Sequence, residues 1–174
     1  MNRNGIRKAK PLSRQQIRDV ANVVREWEHA ENELYFDIVH FMDVTLPKIA
    51  PEFTMEVVSK EELGDAQGLT YPDSGIIKIR EDVYERAVDG KGRDRLTLAH
   101  ELFHLLQHDD SNITFARGNF AEEIRPYEDP EWQADAFGGE LLVPHHLIAN
   151  MSPQQISAEC GVSMAAANVQ FKAR

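Results

Sequence analysis

Apolar residues recur along this chain at two different periods, and the period changes from segment to segment. Ile17, Val20, Ala21, Val24 and Trp27 follow the i, i+3, i+4, i+7 spacing of a helix with one buried face. Ser13 and Gln16 ahead of them have the spacing of a capping box. Leu34, Ile38 and Phe41 predict a second helical stretch that ends before Pro47. The period then drops to two: Phe53, Met55 and Val57 alternate with Thr54 and Glu56, as in a half-buried strand. Gly68-Leu69-Thr70-Tyr71 and Ile76-Ile77-Lys78-Ile79 flank Pro72-Asp73-Ser74-Gly75, which predicts a hairpin. A short helix is expected from about Asp82 to Gly90.

The strongest helical pattern covers residues 94–108. Leu98, Leu102 and Leu105 form one apolar row, with Ala99, Phe103 and Leu106 beside it. A polar segment, 109–128, follows. Asp129-Pro130-Glu131 then reads as a helix start, with Asp as N-cap, Pro at the first helical position and an acid in the first turn. This helix runs to Pro144. Ser152-Pro153-Gln154-Gln155 opens another, Gly161 ends it, and Ser163 caps a last one. Long helices around a small antiparallel sheet that precedes residues 94–108 make an α+β, mostly helical fold with a helical C-terminal cap. The expected organisation is a basic flexible tail over 1–12, a main domain over 13–150 and a helical extension over 151–174.

Composition narrows the functional classes. The 174 residues are 42% hydrophobic, enough for a packed core. No apolar run is long enough to span a bilayer, and the first residues lack the apolar stretch of a secretory signal, so the expected setting is cytoplasmic. The net charge is −10, yet the first 14 residues carry five basic side chains and no acid, which leaves the rest at −15. Such an acidic body argues against binding nucleic acid through its phosphates. Residues 153–172 carry a weak helix–turn–helix pattern, but with few cations to reach bases or phosphates. The single cysteine, Cys160, excludes an internal disulfide and a cysteine-built zinc site, and is expected as a buried thiol.

The chemistry gathers at His100-Glu101-Leu102-Phe103-His104, an HExxH sequence. Residues four apart share a helix face, so both imidazoles can converge on one ion. Zinc takes imidazole nitrogens readily, and three protein ligands leave a position for water. Glu101 follows the first ligand and is placed to take a proton from that water. His108 continues the series, but it lies about 12 Å along the axis from His100 at 1.5 Å per residue, too far to share the ion on a straight helix. Glu131 is the better third ligand, because it opens the next helix with Asp135 four residues on. Asp135 would then accept the free N–H of a ligand histidine. Glu122, Glu123, Glu128 and Glu140 remain as alternatives to Glu131. For stabilising an oxyanion, His145 is the preferred candidate, ahead of Tyr71, Tyr84, Tyr127 and His146.

Together these residues resemble the ImmA/IrrE family of metallopeptidases. The resemblance runs from Arg95 through His104, then Glu131 to Asp135 with Phe137, then Leu141-Leu142-Val143-Pro144, and extends over roughly residues 50–165. It includes the hairpin before the HExxH helix and the segment Ile156 to Ser163. HExxH alone is weak; followed in order by ExxAD-x-F and LL-x-P it is specific. The resemblance implies a zincin-like domain of gluzincin type, with ligands His100, His104 and Glu131, base Glu101 and one Zn2+; other divalent ions such as Mn2+ are compatible with the donors. It further implies a protease that cleaves an Xre-type helix–turn–helix repressor, or that works in a toxin–antitoxin-like or mobile-element pair. The competing class is a non-catalytic metal-binding protein that pairs with such a regulator. Two positions depart from the family pattern: Phe103 stands where a small residue is common and is expected to narrow the cleft, and Gly138 stands where Ala is usual.

Overall fold

The computed structural model describes residues 6–109, 111–116 and 124–173. The chain begins with strand β1 (Ile6–Ala9) and helix α1 (Arg14–Trp27). The Ser13 capping box forms as expected, with Gln16 closing it. Ile17, Ala21 and Val24 are fully buried, whereas Trp27 at the helix end is 43% exposed. Part of the stretch expected to be a flexible tail is therefore ordered. β1 pairs antiparallel with β5 (Ile113–Ala116), and Ala9 is buried.

Helix α2 (Ile38–His40) leads into a π-helical turn at Phe41–Thr45 and then into α3 (Leu46–Ile49). The helical path thus continues past Pro47, where the sequence predicted a stop. Proline lacks an N–H and its ring crowds the carbonyl four residues back; the widened π turn just ahead of it relieves both demands.

Strand β2 (Thr54–Val58), helix α4 (Lys60–Leu63), strand β3 (Gly68–Tyr71), a 3-10 turn and strand β4 (Ile76–Arg80) complete the β region. The hairpin β3–β4 is antiparallel, and Gly75 closes its turn at φ +68°, a left-handed conformation that suits glycine. The sheet as a whole is mixed and not purely antiparallel, because β2 pairs parallel to β4 on the other side. Helix α4 makes that crossover, which the alternating pattern of residues 53–57 could not reveal. The strand order β2-β4-β3 leaves β3 at an edge.

Helix α5 (Glu81–Val88) precedes α6 (Gly92–Gln107), the longest of the described helices. α7 (Pro130–Leu142) starts at the predicted Asp129 cap, whose side chain accepts from Glu131 N–H. α6 and α7 pack closely, with β3 against α6 and α1 against α7. A Cβ at Gly138 would lie 2.8 Å from Leu96 Cδ1, so the glycine at this departure from the family pattern permits the close approach of α7 to α6. Phe103 is buried and stacks on Phe137 with ring centroids 4.8 Å apart. It points into the core, so the expected narrowing of the cleft does not occur. Two such buried aromatics contribute about 2–3 kcal/mol each to core burial.

Helices α8 (Pro153–Cys160) and α9 (Met164–Ala173) close the structure. Ile156, Cys160 and Ala167 are buried, and Gln170 of α9 lies against Gly139 of α7. The helix–turn–helix-like segment is thus packed onto the main body as a cap. Burial pushes the Cys160 thiol up to about 11, which fits a structural thiol. Among the described residues, no helix is long and apolar enough to cross a membrane.

Candidate metal centre

α6 supplies His100, Glu101 and His104 from two successive turns, and α7 crosses them with its N-terminal turn. The Nε2 atoms of His100 and His104 face each other at 2.9 Å. Glu131 reaches both, with Oε2 at 3.2 Å from His100 Nε2 and Oε1 at 3.6 Å from His104 Nε2. Among the described residues these three form a metal-competent donor group. They line a cavity of about 360 Å³ together with Gly68, Thr70, Glu101 and Pro130.

Three electron-pair donors converging this closely require a positive charge between them. In the metal-free protein a proton meets that need. Burial disfavours the His100 imidazolium, but Asp135 and Glu131 outweigh it and raise its pKa to about 9. Glu131 is held below its ordinary value, first by its hydrogen bond to His100. A divalent metal fits the same place. The donors are two imidazole nitrogens and a carboxylate, 2.9–3.6 Å apart. That spacing suits ligands held at about 2.0–2.2 Å from one ion.

The outer nitrogens are also engaged. His100 Nδ1–H donates to Asp135 Oδ1 at 2.8 Å, the contact expected for Asp135. His104 Nδ1 lies 2.7 Å from His108 Nδ1, and His108 Nε2 lies 2.9 Å from Gln133 Oε1. His108 is 5% exposed. It does not join the triad, but its Nδ1 touches the outer nitrogen of His104, which the spacing argument overlooked.

Glu101 points from α6 toward β3. Thr70 Oγ1 lies 2.6 Å from Glu101 Oε2 and 3.1 Å from its carbonyl oxygen. Gly68 lies flat against the same side chain; a Cβ there would come within 2.6 Å of Glu101 Cγ. Burial pushes the Glu101 carboxyl up, partly offset by the Thr70 hydrogen bond and by His100. Thr70 and Gly68 stood in the sequence only as hairpin residues, and no local signal marks their contact with Glu101.

Other candidates lie elsewhere. His145 follows the far end of α7, a helix of 13 residues or about 20 Å at 1.5 Å per residue, and does not line the cavity. Its neighbours are Arg18, Arg14 and Glu140, and desolvation followed by Arg18 lowers its pKa. The preference for it as oxyanion stabiliser is therefore corrected. His146 Nε2–H donates to Glu31 O, 2.8 Å away. Glu140 is bound by Arg14 and Arg18, and Glu128 pairs with Lys8. Tyr84 donates to Asp43, and Tyr127 is bonded to Arg125. Tyr71 sits between Thr70 and Pro72, which both line the cavity. Glu122 and Glu123 lie outside the described residues.

Residues 56–172 match the family model for the IrrE N-terminal-like domain, Peptidase_M78, a span that includes both α6 and α7. The chain belongs to this family. The Peptidase_M78 match makes it a metallopeptidase-family protein and covers all of His100, Glu101, His104 and Glu131. Comparison with the curated proteins gives no match. Helices α1 to α3 and strand β1 precede the matched span.

Proposed function

We propose that the protein is a zinc-dependent endopeptidase in which Glu101 acts as general base. The carrying observation is a buried carboxylate, Glu101, in the same cavity as the His100–His104–Glu131 donors, with its partners Thr70 and Gly68 fixing its direction. A zinc ion held by those donors would acidify a water molecule and polarise the peptide carbonyl. Glu101 takes the proton from water and returns it to the leaving amine nitrogen. Its raised pKa suits both halves of that task, because a base closer to neutrality both accepts and releases a proton readily. Three protein donors, instead of the four that close a structural site, favour this reading over the non-catalytic one.

Edge strand β3 supports a peptide substrate. Gly68, Leu69 and Thr70 border the cavity, and the side of β3 away from β4 offers backbone groups to an extended chain. The partner in this reading, by the resemblance, is an Xre-type repressor, or an antitoxin of that kind, in the cytoplasm. The test is incubation of the zinc-loaded protein with Xre-type repressors, with fragments read by mass spectrometry. Wild type should cut at least one, and Glu101→Gln should retain zinc without cutting. Equal cleavage by the variant would remove Glu101 from the mechanism.

A further inference from the structure

We infer that His108 and Gln133 are positioning residues that fix the tautomer of His104, so that a lone pair, and not an N–H, faces the metal centre. The inference rests on the metal-site reading above. Its argument begins far from the site, at two backbone carbonyls. Gln133 is fully buried on α7, and its side-chain nitrogen lies 2.9 Å from Lys10 O and 2.8 Å from Tyr127 O. Carbonyl oxygens only accept, so both contacts must come from the NH2 group. The amide orientation of Gln133 is thereby decided, and Oε1 is the atom that meets His108 Nε2 at 2.9 Å.

An amide oxygen also only accepts. His108 must therefore carry its proton on Nε2, and in the neutral ring its Nδ1 is left as an acceptor. His108 Nδ1 meets His104 Nδ1 at 2.7 Å, so His104 must donate there. A neutral His104 with its proton on Nδ1 has a bare Nε2, and that atom faces His100 and Glu131. Each link fixes the next, from the carbonyls of Lys10 and Tyr127 to the ligand lone pair.

The two ligand histidines are thus held differently. His100 has an anionic partner, Asp135, whose side chain is 71% exposed. His104 has a neutral, buried relay of one imidazole and one amide. The relay aligns the ring without adding a negative charge to a centre that already has Glu131, Glu101 and Asp135 beside it.

The test reads zinc affinity by chelator competition and ring protonation by 15N NMR. His108→Phe keeps a ring against Phe103, which His108 meets edge-on at 5.3 Å, but removes the acceptor. Its zinc dissociation constant should rise about 10- to 100-fold, the usual cost of losing a partner behind a ligand. His108→Asn, which restores an acceptor near the Nδ1 position, should recover most of that loss. In the zinc-loaded wild type, His108 should show its proton on Nε2 and a coupling across the hydrogen bond between the two Nδ1 nuclei. Wild-type zinc affinity in a folded His108→Phe variant, or a His108 proton on Nδ1, would overturn the inference. Should His108→Phe fail to fold, the wild-type spectrum decides alone. Failure of the wild type to bind zinc would sink the site reading itself, whereas zinc binding without repressor cleavage would leave the relay standing.

Discussion

The two ends of α7 each present carboxylates to other helices, and they treat them in opposite ways. At the C-terminal end, the Glu140 side chain is fully buried and clasped by Arg14 and Arg18, each at 2.7 Å. Arg25 donates to Leu141 O at 2.5 Å and completes that end. The cations there belong to the chain and stay. At the N-terminal end, Glu131 and Asp135 meet histidines, whose charge comes and goes with a proton. A carboxylate matched to arginine holds a fold together. One matched to imidazole leaves its counter-charge to be supplied, by a proton or by a metal.

That contrast breaks most sharply under substitution of one acid at each end. Glu131→Ala removes the carboxylate from the proposed donor group and should weaken zinc binding by more than ~100-fold, beyond the cost of losing a hydrogen-bonded partner behind a ligand, while thermal unfolding of the metal-free protein changes little. Chelator competition measures the first and calorimetry the second. Glu140→Ala should do the reverse. Breaking its buried ion pairs should cost about 3 kcal/mol of folding stability, measured by urea unfolding, with zinc affinity unchanged. If both variants lost zinc equally, the division of labour along α7 would be wrong.

Gly68→Ala sharpens the picture on the opposite wall of the cleft. The new methyl group displaces Glu101, and cleavage should fall by about tenfold to a hundredfold while zinc stays bound. The mildest perturbation, a change of one pH unit, bears on the same donors. His100 in the metal-free protein holds its proton up to about pH 9, and that proton must leave before Nε2 can coordinate. Zinc binding therefore releases a proton, and apparent affinity should rise about tenfold per pH unit below that value and flatten above it. Titration calorimetry in buffers of different ionisation enthalpy would count the proton; a flat profile between pH 6 and 8 would contradict it.

Much of this was legible in the chain. HExxH sets two imidazoles on one side because residues four apart on a helix share a face. The Asp129-Pro130 start places Glu131 in the first turn of α7, and the next turn puts Asp135 on the same side. The failures have physical reasons. His108 was judged by its distance from the ion along α6, but a residue one turn beyond a ligand can reach that ligand's far nitrogen. His145 was preferred as an oxyanion stabiliser, yet it lies past the end of the helix that Glu131 opens, and the rise of 1.5 Å per residue sets the two about 20 Å apart. Gln133 and the Lys10 carbonyl carry no local signature, since an amide and a peptide oxygen become informative only when the fold sets them against one another. The parallel pairing of β2 was hidden for the same reason: alternation reports a strand's face, not its neighbour.

The span matched by the family model is shorter than the span that buttresses α6 and α7. A fragment trimmed to 56–172 would lose the α1 arginines that neutralise Glu140 and anchor the end of α7. It would also lose the Phe36 carbonyl that receives Arg95, a fully buried guanidinium on α6. An expressed fragment should therefore start upstream of the matched stretch, because trimming to it removes contacts that hold α6 and α7 in place.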